Sequence, residues 1–269
     1  MKKCFITKLI GVVENDSLAK IGEIVIHIPS KTNRTGYGNV IKYYLTDSAV
    51  CPTIYTTGNL QFCKSESDRT KLGHKITPTG KFYLSEEEGY LHITDKYGKI
   101  FEFQLTNDYT PAEPLDINDF KYWTNLSLLS VRKKGLSGDV SILKNMPKLK
   151  IAEVDGLTGN INDLDGNSNL QILVISKADG DLAKMPASLQ YFVCNSKLSW
   201  SQRESGYIIA GSYELEDDVD KMLQDQAKLQ KPTLSYANYI NVTGNRTSAS
   251  DDAISTLQSK GVTVQVFNY

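Results

Sequence analysis

The stretch that decides the fold is Gly135-Leu136-Ser137-Gly138-Asp139-Val140. It returns as Gly156-Leu157-Thr158-Gly159-Asn160-Ile161 and, reduced, as Asp179-Gly180-Asp181-Leu182. Ahead of these steps, and once beyond them, stand four strand-like runs: Leu126-x-x-Leu129-x-Val131, Leu149-x-x-Ala152-x-Val154, Leu170-x-x-Leu173-x-Ile175 and Leu189-x-x-Phe192-x-Cys194. Their first residues lie 23, 21 and 19 residues apart. Units of that length cannot bury an apolar face singly, so they stack on their neighbours. Behind three of the strands come Val140-x-x-Leu143-x-x-Met146-Pro147, Ile161-x-x-Leu164 and Leu182-x-x-Met185-Pro186. Proline disfavours a long helix, so the return segments are expected as 3₁₀ turns or short coil.

Outward from the repeats, residues up to about Leu105 are β-rich. Phe5 to Val13, Gly22 to Ile28 and Val40 to Thr46 are β-branched or aromatic runs between turn residues. Lys81 to Leu84, Tyr90 to Thr94 and Ile100 to Leu105 suggest a meander, with Leu91 and Ile93 facing one way and Phe101, Phe103 and Leu105 together on the partner strand. Thr106 to Pro114 has the composition of a linker. Leu115 to Trp123 is a capping turn, with Asp116 or Asn118 as the cap and Phe120 and Trp123 as apolar bulk. Past Trp200, Tyr207 to Ala210 offers one more strand. Leu215 to Leu229 has helical spacing, and Leu234 to Val242 reads as a strand. Ser248-x-x-Asp251 has the spacing of a capping box before a helix that ends at Gly261, and Val262 to Phe267 closes the chain as a strand.

The repeated step resembles the leucine-rich repeat family, in its Leu-Ser/Thr-Gly-x-Ile/Val variant, over roughly residues 115–200. The family places an asparagine just after the strand leucines. Lys134 and Lys197 stand near that position here, which implies a short, irregular solenoid without an asparagine ladder. The segment Thr243 to Asp251, with the closing strand, is similar to the C-terminal end of leucine-rich repeat proteins of gut bacteria and their tailed phages. Met1 to Leu9 with Ile21-Gly22-Glu23 resembles phage structural proteins from the same setting. The expected fold is mainly β with some α. A β-rich domain covers 1–108, a linker and solenoid cap cover 109–124, and a leucine-rich-repeat-like parallel sheet with a βαβ cap covers 125–269.

In a solenoid of this family the first, fourth and sixth strand positions point inward, and the third, fifth and seventh face outward on the concave sheet. The third-position column is Leu128, Ile151, Ile172 and Tyr191. The fifth holds Ser130, Glu153, Val174 and Val193, and the seventh begins at Arg132 and Asp155. Exposing four large apolar side chains forgoes about 1.5–3 kcal/mol each. Either something covers the column (the N-terminal domain, a second copy or a partner), or a one-residue slip of register puts it in the core. The candidate interaction residues are therefore Leu128, Ile151, Ile172, Tyr191, Glu153, Val174, Val193 and Arg132.

Composition argues for binding over chemistry. The net charge is −1, with Lys and Arg spread along the chain, so no nucleic-acid partner is expected. No apolar run approaches the ~20 residues of a membrane span. Lys8 interrupts the first apolar run, which reads as a strand and not an export signal. Cys4, Cys51, Cys63 and Cys194 include no C-x-x-C pair; Cys51 and Cys63 suit a disulfide if exported and free thiols otherwise. No metal or cofactor is expected. Gly73 to Lys81 departs from a P-loop in spacing and has Phe82 where Ser or Thr belongs. Asp163 to Asn167 lacks the distal Glu of a calcium loop. Glu86-Glu87-Glu88 and Glu214 to Asp218 read as a hairpin turn and a helix start. The 15 tyrosines, Tyr236 and Tyr239 among them, suit interface contact, sugar stacking or plain strand packing. The expected function is non-enzymatic: a virion or tail-associated component, assembled in the host cytoplasm, that binds virion proteins, a host receptor or its own copies. The alternatives are a bacterial adhesin or cytoplasmic scaffold, and a hydrolase active in the N-terminal domain.

Overall fold

The computed structural model describes residues 114–132, 135–216 and 218–268, together with eight strands within the first 105 residues. The chain divides into two compact units, residues 1–138 and 139–269.

In the first unit, β1 (Ile10–Val12) pairs antiparallel with β2 (Ala19–Ile21). β3 (Glu23–Ile28), β4 (Thr53–Tyr55), β5 (Asn59–Cys63), β6 (Gly73–Lys75), β7 (Gly89–Thr94) and β8 (Glu102–Leu105) follow. A four-stranded antiparallel sheet has the order β3-β7-β5-β6. The expected meander is corrected at its last strand. β7 lies between β3 and β5, whereas β8 pairs antiparallel with β4 and parallel with β10 (Leu128–Val131). The reason is in Phe103, which has no exposed surface and packs edge-on against Phe120 and Trp123, at centroid distances of 5.2 and 5.6 Å. The strand follows its aromatic to the capping turn. The runs at Val40 to Thr46 and Lys81 to Leu84, the acidic turn at Glu86 to Glu88, and the linker at 106–113 lie outside the described residues.

The cap itself is β9 (Leu115–Asp116) leading into a 3₁₀ turn over Ile117–Phe120. Of the two candidate caps, Asp116 serves: its carboxylate accepts the Asn118 N–H at 2.9 Å. β11 (Leu136–Ser137) pairs parallel with β9.

The second unit is built on a six-stranded, all-parallel sheet in sequential order: β12 (Ile151–Glu153), β13 (Ile172–Val174), β14 (Tyr191–Leu198), β15 (Ala210–Leu215), β16 (Tyr239–Thr243) and β17 (Thr263–Phe267). The expected register holds. Leu149, Ala152, Val154, Leu170, Leu173, Ile175, Leu189, Phe192 and Cys194 are all buried. The return segments are 3₁₀ turns at Val140–Asn145, Ile161–Leu164 and Leu182–Lys184. Each is capped by the residue after the repeated glycine. Asp139, Asn160 and Asp181 accept the N–H of Ser141, Asn162 and Ala183 at 2.8, 2.9 and 3.0 Å. The glycines are required twice over. Gly159 and Gly180 have φ of +115° and +118°, and an added Cβ would meet Asp139 at 2.9 Å and Asn160 at 2.6 Å, the caps one repeat earlier. The repeats thus carry an Asp/Asn column of their own, at the cap and not after the strand leucines.

Beyond Trp200 the backing changes to α-helix. α1 (Val219–Lys228) buries Val219, Met222 and Leu223, and α2 (Asp251–Ser259) buries Ala253 and Leu257. The capping box expected at Ser248 and Asp251 is corrected. Thr247 caps a 3₁₀ turn over Ser248–Ser250 that leads into α2, its hydroxyl accepting the Ala249 N–H at 3.1 Å, while Ser250 at the N-cap of α2 makes no side-chain capping bond and Asp251 forms an ion pair with Arg246. Asp220 of α1 takes over the anchoring role, accepting from the Thr247 hydroxyl and amide and, at 2.6 Å, from the Ser250 hydroxyl. Gly261 ends α2 at φ +79° as expected. The strand expected from Leu234 begins only at Tyr239, because residues 230–238 form a loop tied to Gln190, described below.

Polar groups freed at the ends of the return segments are met by side chains from the following segment. Asn167 Nδ2 donates to the Leu143 and Met146 carbonyls at 3.1 and 3.4 Å. The Arg203 guanidinium donates to Ala183, Met185 and Pro186 at 3.3, 2.7 and 2.9 Å. Lys260 Nζ donates to Ala227 and Leu229 at 2.6 and 2.8 Å.

Candidate functional site

The side chains that alternate away from the core of the second unit form one surface. Ile151, Ile172 and Tyr191 lie side by side in register, followed on β15 by Ala210. One residue before the registered pair Gly211–Ile240, Tyr239 continues the line on β16. Ile151, Tyr191, Glu153, Val174 and Val193 are half-buried. Ile172 departs from the expectation of an outward, solvent-facing residue: it is 6% exposed. Leu128 and Arg132 belong to the first unit, where both are half-buried and Leu128 is in register with Glu102.

Part of this surface, around Tyr191 and Ala210, is covered from within the second unit. Tyr191 and Tyr239 flank Ala210, and their hydroxyls meet above it at 2.6 Å. Ala210 has no exposed surface, although its side chain points to the outer side of the sheet. Tyr236 adds a third ring. Its centroid is 5.6 Å from that of Tyr191 at an interplanar angle of 76°, and the Tyr191–Tyr239 pair stands at 6.1 Å and 80°. Edge-to-face contacts of this kind are the preferred packing of aromatic rings. Tyr236 remains 50% exposed.

Gln190 places that third ring. It is 2% exposed, and its Oε1 accepts three hydrogen bonds, from the Thr233 N–H, the Thr233 hydroxyl and the Leu234 N–H, at 2.7, 3.0 and 3.2 Å. The loop before β16 is thereby tied to the strand that bears Tyr191. Burial, and after it the charge of Glu153, pushes the Tyr236 phenol above its usual range. At the far end of the sheet the register shifts between Val193 and Lys197, and Lys197 lies 4.0 Å from Glu214.

Behind the sheet a second polar group is enclosed. The Gln226 amide accepts the Ile209 N–H at 2.9 Å, and the Tyr213 hydroxyl donates to the Ile209 carbonyl at 3.1 Å. Burial raises the Tyr213 phenol well above its ordinary value and lowers the Arg203 guanidinium to about 10. Arg203 therefore stays charged at neutral pH while holding carbonyls, and the group is structural.

The other strings resolve as local structure. Gly73–Lys75 is strand β6. Asp163 to Asn167 is a turn between repeats, with Leu164 buried and Asn167 turned inward to its carbonyls. Glu214 is part of β15, and α1 begins at Val219. Cys194 is a buried free thiol. Among the described residues, no three His, Cys, Asp or Glu side chains group in a way that could hold a metal ion, and no helix is long and apolar enough to cross a membrane.

Sequence reasoning found Tyr191 and missed its partners. Tyr236 and Tyr239 stood out only as members of a tyrosine-rich composition, and Ala210 and Gln190 carried no signal. A small residue beside a tyrosine in a register column was the available clue. No known protein-family model matches the chain, and no curated protein matches it in sequence.

Proposed function

We propose that the protein is a non-enzymatic interaction module that binds another protein through the outer side of the parallel sheet of residues 139–269. The observation behind this reading is the tyrosine cluster, with Tyr236 half exposed against Tyr191 on a sheet face whose Ile151, Val174 and Val193 are half-buried. A few residues carry most of the binding energy of a protein interface, and tyrosine is enriched among them. The resemblance of the Thr243 to Asp251 segment to leucine-rich repeat proteins of gut bacteria and their tailed phages, and of the N-terminal segment to phage structural proteins, supports a context: a virion or tail-associated component, assembled in the host cytoplasm, whose partner is a virion protein, a host receptor or another copy.

The test is mass analysis of particles purified from the organism that carries the gene. The chain should be present in fixed ratio to the other virion proteins. Its absence would overturn the virion assignment. A Val174→Glu, Val193→Glu variant that melts like the parent chain should no longer incorporate. Undiminished incorporation would place the interface elsewhere.

A further inference from the structure

We propose that the protein pairs with a second copy of itself through β17, the last strand of the parallel sheet, the two strands running antiparallel about a two-fold axis at Gln265. The pairing uses the edge of the sheet and is independent of the outer face discussed above. Three observations carry it.

The first is a row of backbone groups. Among the described residues, β16 is the one strand that neighbours β17. The Thr263 N–H donates to the Asn238 carbonyl at 2.8 Å, and the Phe267 carbonyl accepts the Gly244 N–H at 2.9 Å. Thr263, Gln265 and Phe267 thus turn their peptide groups to β16, and by alternation Val264 and Val266 turn theirs to the edge. Such a row is a template for another strand.

The second is that the row matches itself. In an antiparallel pair, opposed residues that exchange both hydrogen bonds alternate with opposed residues that exchange none. A two-fold axis at Gln265 sets Val264 against Val266 of the second copy, and Val266 against its Val264. Each edge-facing N–H of one copy then meets an edge-facing carbonyl of the other. An axis at Val264 would leave Val266 without a partner inside the strand. On the axis Gln265 meets its own amide. The sequence Thr263-Val264-Gln265-Val266-Phe267 holds no charge and no proline, so no like charges oppose and no donor is missing. The contact is isologous, as a closed dimer requires.

The third is what the pairing covers. Val264 and Val266 stand opposite Ile240 and Val242, which have no exposed surface, yet the two valines are only half-buried. The core is therefore open at this end, where a stacked fold needs a cap. On the other side of the strand Phe267 is 51% exposed. The second copy closes the core over the valines and brings Thr263 against Phe267, a β-branched residue against an aromatic one, which is a favourable cross-strand pair.

The experiment is analytical ultracentrifugation of the full chain over a range of concentrations. A monomer–dimer equilibrium is expected, with a dissociation constant on the order of 10–100 μM, because a single strand pair is smaller than a standard interface. Gln265 is exposed, so substitutions there should leave the melting temperature unchanged. Gln265→Lys and Gln265→Glu should each weaken the dimer about tenfold or more, by setting like charges against each other on the axis. An equimolar mixture of the two variants should restore it, a rescue that requires residue 265 to face itself. A chain that stays monomeric at millimolar concentration, a dimer unmoved by either substitution, or a mixture no tighter than the single variants would overturn the proposal.

Discussion

Residues 139–198 and residues 199–268 build the same parallel sheet by different means. In the first stretch, strands start 21 and 19 residues apart, at Ile151, Ile172 and Tyr191, and 3₁₀ turns back them. In the second, the starts at Ala210, Tyr239 and Thr263 lie 29 and 24 residues apart, and α-helices of 10 and 9 residues fill the return. The polar chemistry changes with the length. Short returns place a glycine and an Asp or Asn at each turn, so that every repeat is capped by its own residues. Both stretches also send side chains back to the preceding return, Asn167 in the first and Arg203 and Lys260 in the second, and the first long return adds the buried Gln226 amide against Ile209. A parallel sheet can therefore keep its register while its returns change from 3₁₀ turns to α-helices.

The sharpest break in that comparison lies between two glycines. Gly211 has φ +120°, and a Cβ there would lie 1.9 Å from the Phe192 carbonyl oxygen, a backbone atom that cannot swing away. Gly211→Ala is expected to cost about 3 kcal/mol or more, read as a lower urea midpoint. Gly159→Ala meets only the Asp139 carboxylate, a side chain, and should cost about 1–2 kcal/mol, mostly for its φ of +115°. Equal losses would mean that the two regions tolerate crowding alike.

The polar ties come next. Arg203, 4% exposed, holds three carbonyls, and Arg203→Met should cost about 2–3 kcal/mol because those acceptors stay buried without a donor. Asn167→Ala removes two longer bonds and should cost about 1–2 kcal/mol. Thermal melts of the two variants compare them directly. The reverse order would show that the tie in the short-return stretch carries more than the shorter, more numerous bonds of Arg203.

The smallest effect is in acid. Hydrogen bonds from Ser141 hold the Asp139 carboxyl below its ordinary value. At Asp220 burial works the other way, but bonds from Ser250 and Thr247 and the charge of Arg246 outweigh it and lower that carboxyl as well. A carboxylate whose folded value is depressed adds stability above the unfolded value of about 3.9 and loses it as pH falls through the folded value. Melting temperature should therefore fall more steeply below pH 4 in the parent chain than in Asp139→Asn or Asp220→Asn. Parallel curves for parent and variants would rule out both contributions.

What could be read from the sequence follows the range of the interaction that fixes it. The strand register was legible in the inward pattern of Leu126, Leu149, Leu170 and Leu189, although the apolar outer column left a one-residue slip open until burial decided it, and the 3₁₀ returns followed from Pro147 and Pro186. The cap column at Asp139, Asn160 and Asp181 was not legible as caps, because an Asp or Asn after glycine equally marks a plain turn. The meander failed for a different reason. Alternation in Tyr90 to Thr94 and Ile100 to Leu105 fixes faces but not partners, and Phe103 belongs to an aromatic cluster with Phe120 and Trp123. The outer column was legible as residues in need of cover. The rings that pack on Tyr191 were not, because Tyr236 and Tyr239 come from a loop and a strand far along the chain.

The Gln190 tie has a consequence for how the surface comes into being. Its acceptor oxygen and the donors at Thr233 and Leu234 are 43 and 44 residues apart. Strands β12 to β14 can stack one after another from nearby contacts, but the ring cluster closes only once the chain has travelled through β15 and α1 and come back. The ring cluster is thus withheld from a chain folded only as far as β14. A partner that reads those rings reads, in the same contact, that the far end of the sheet has been laid down.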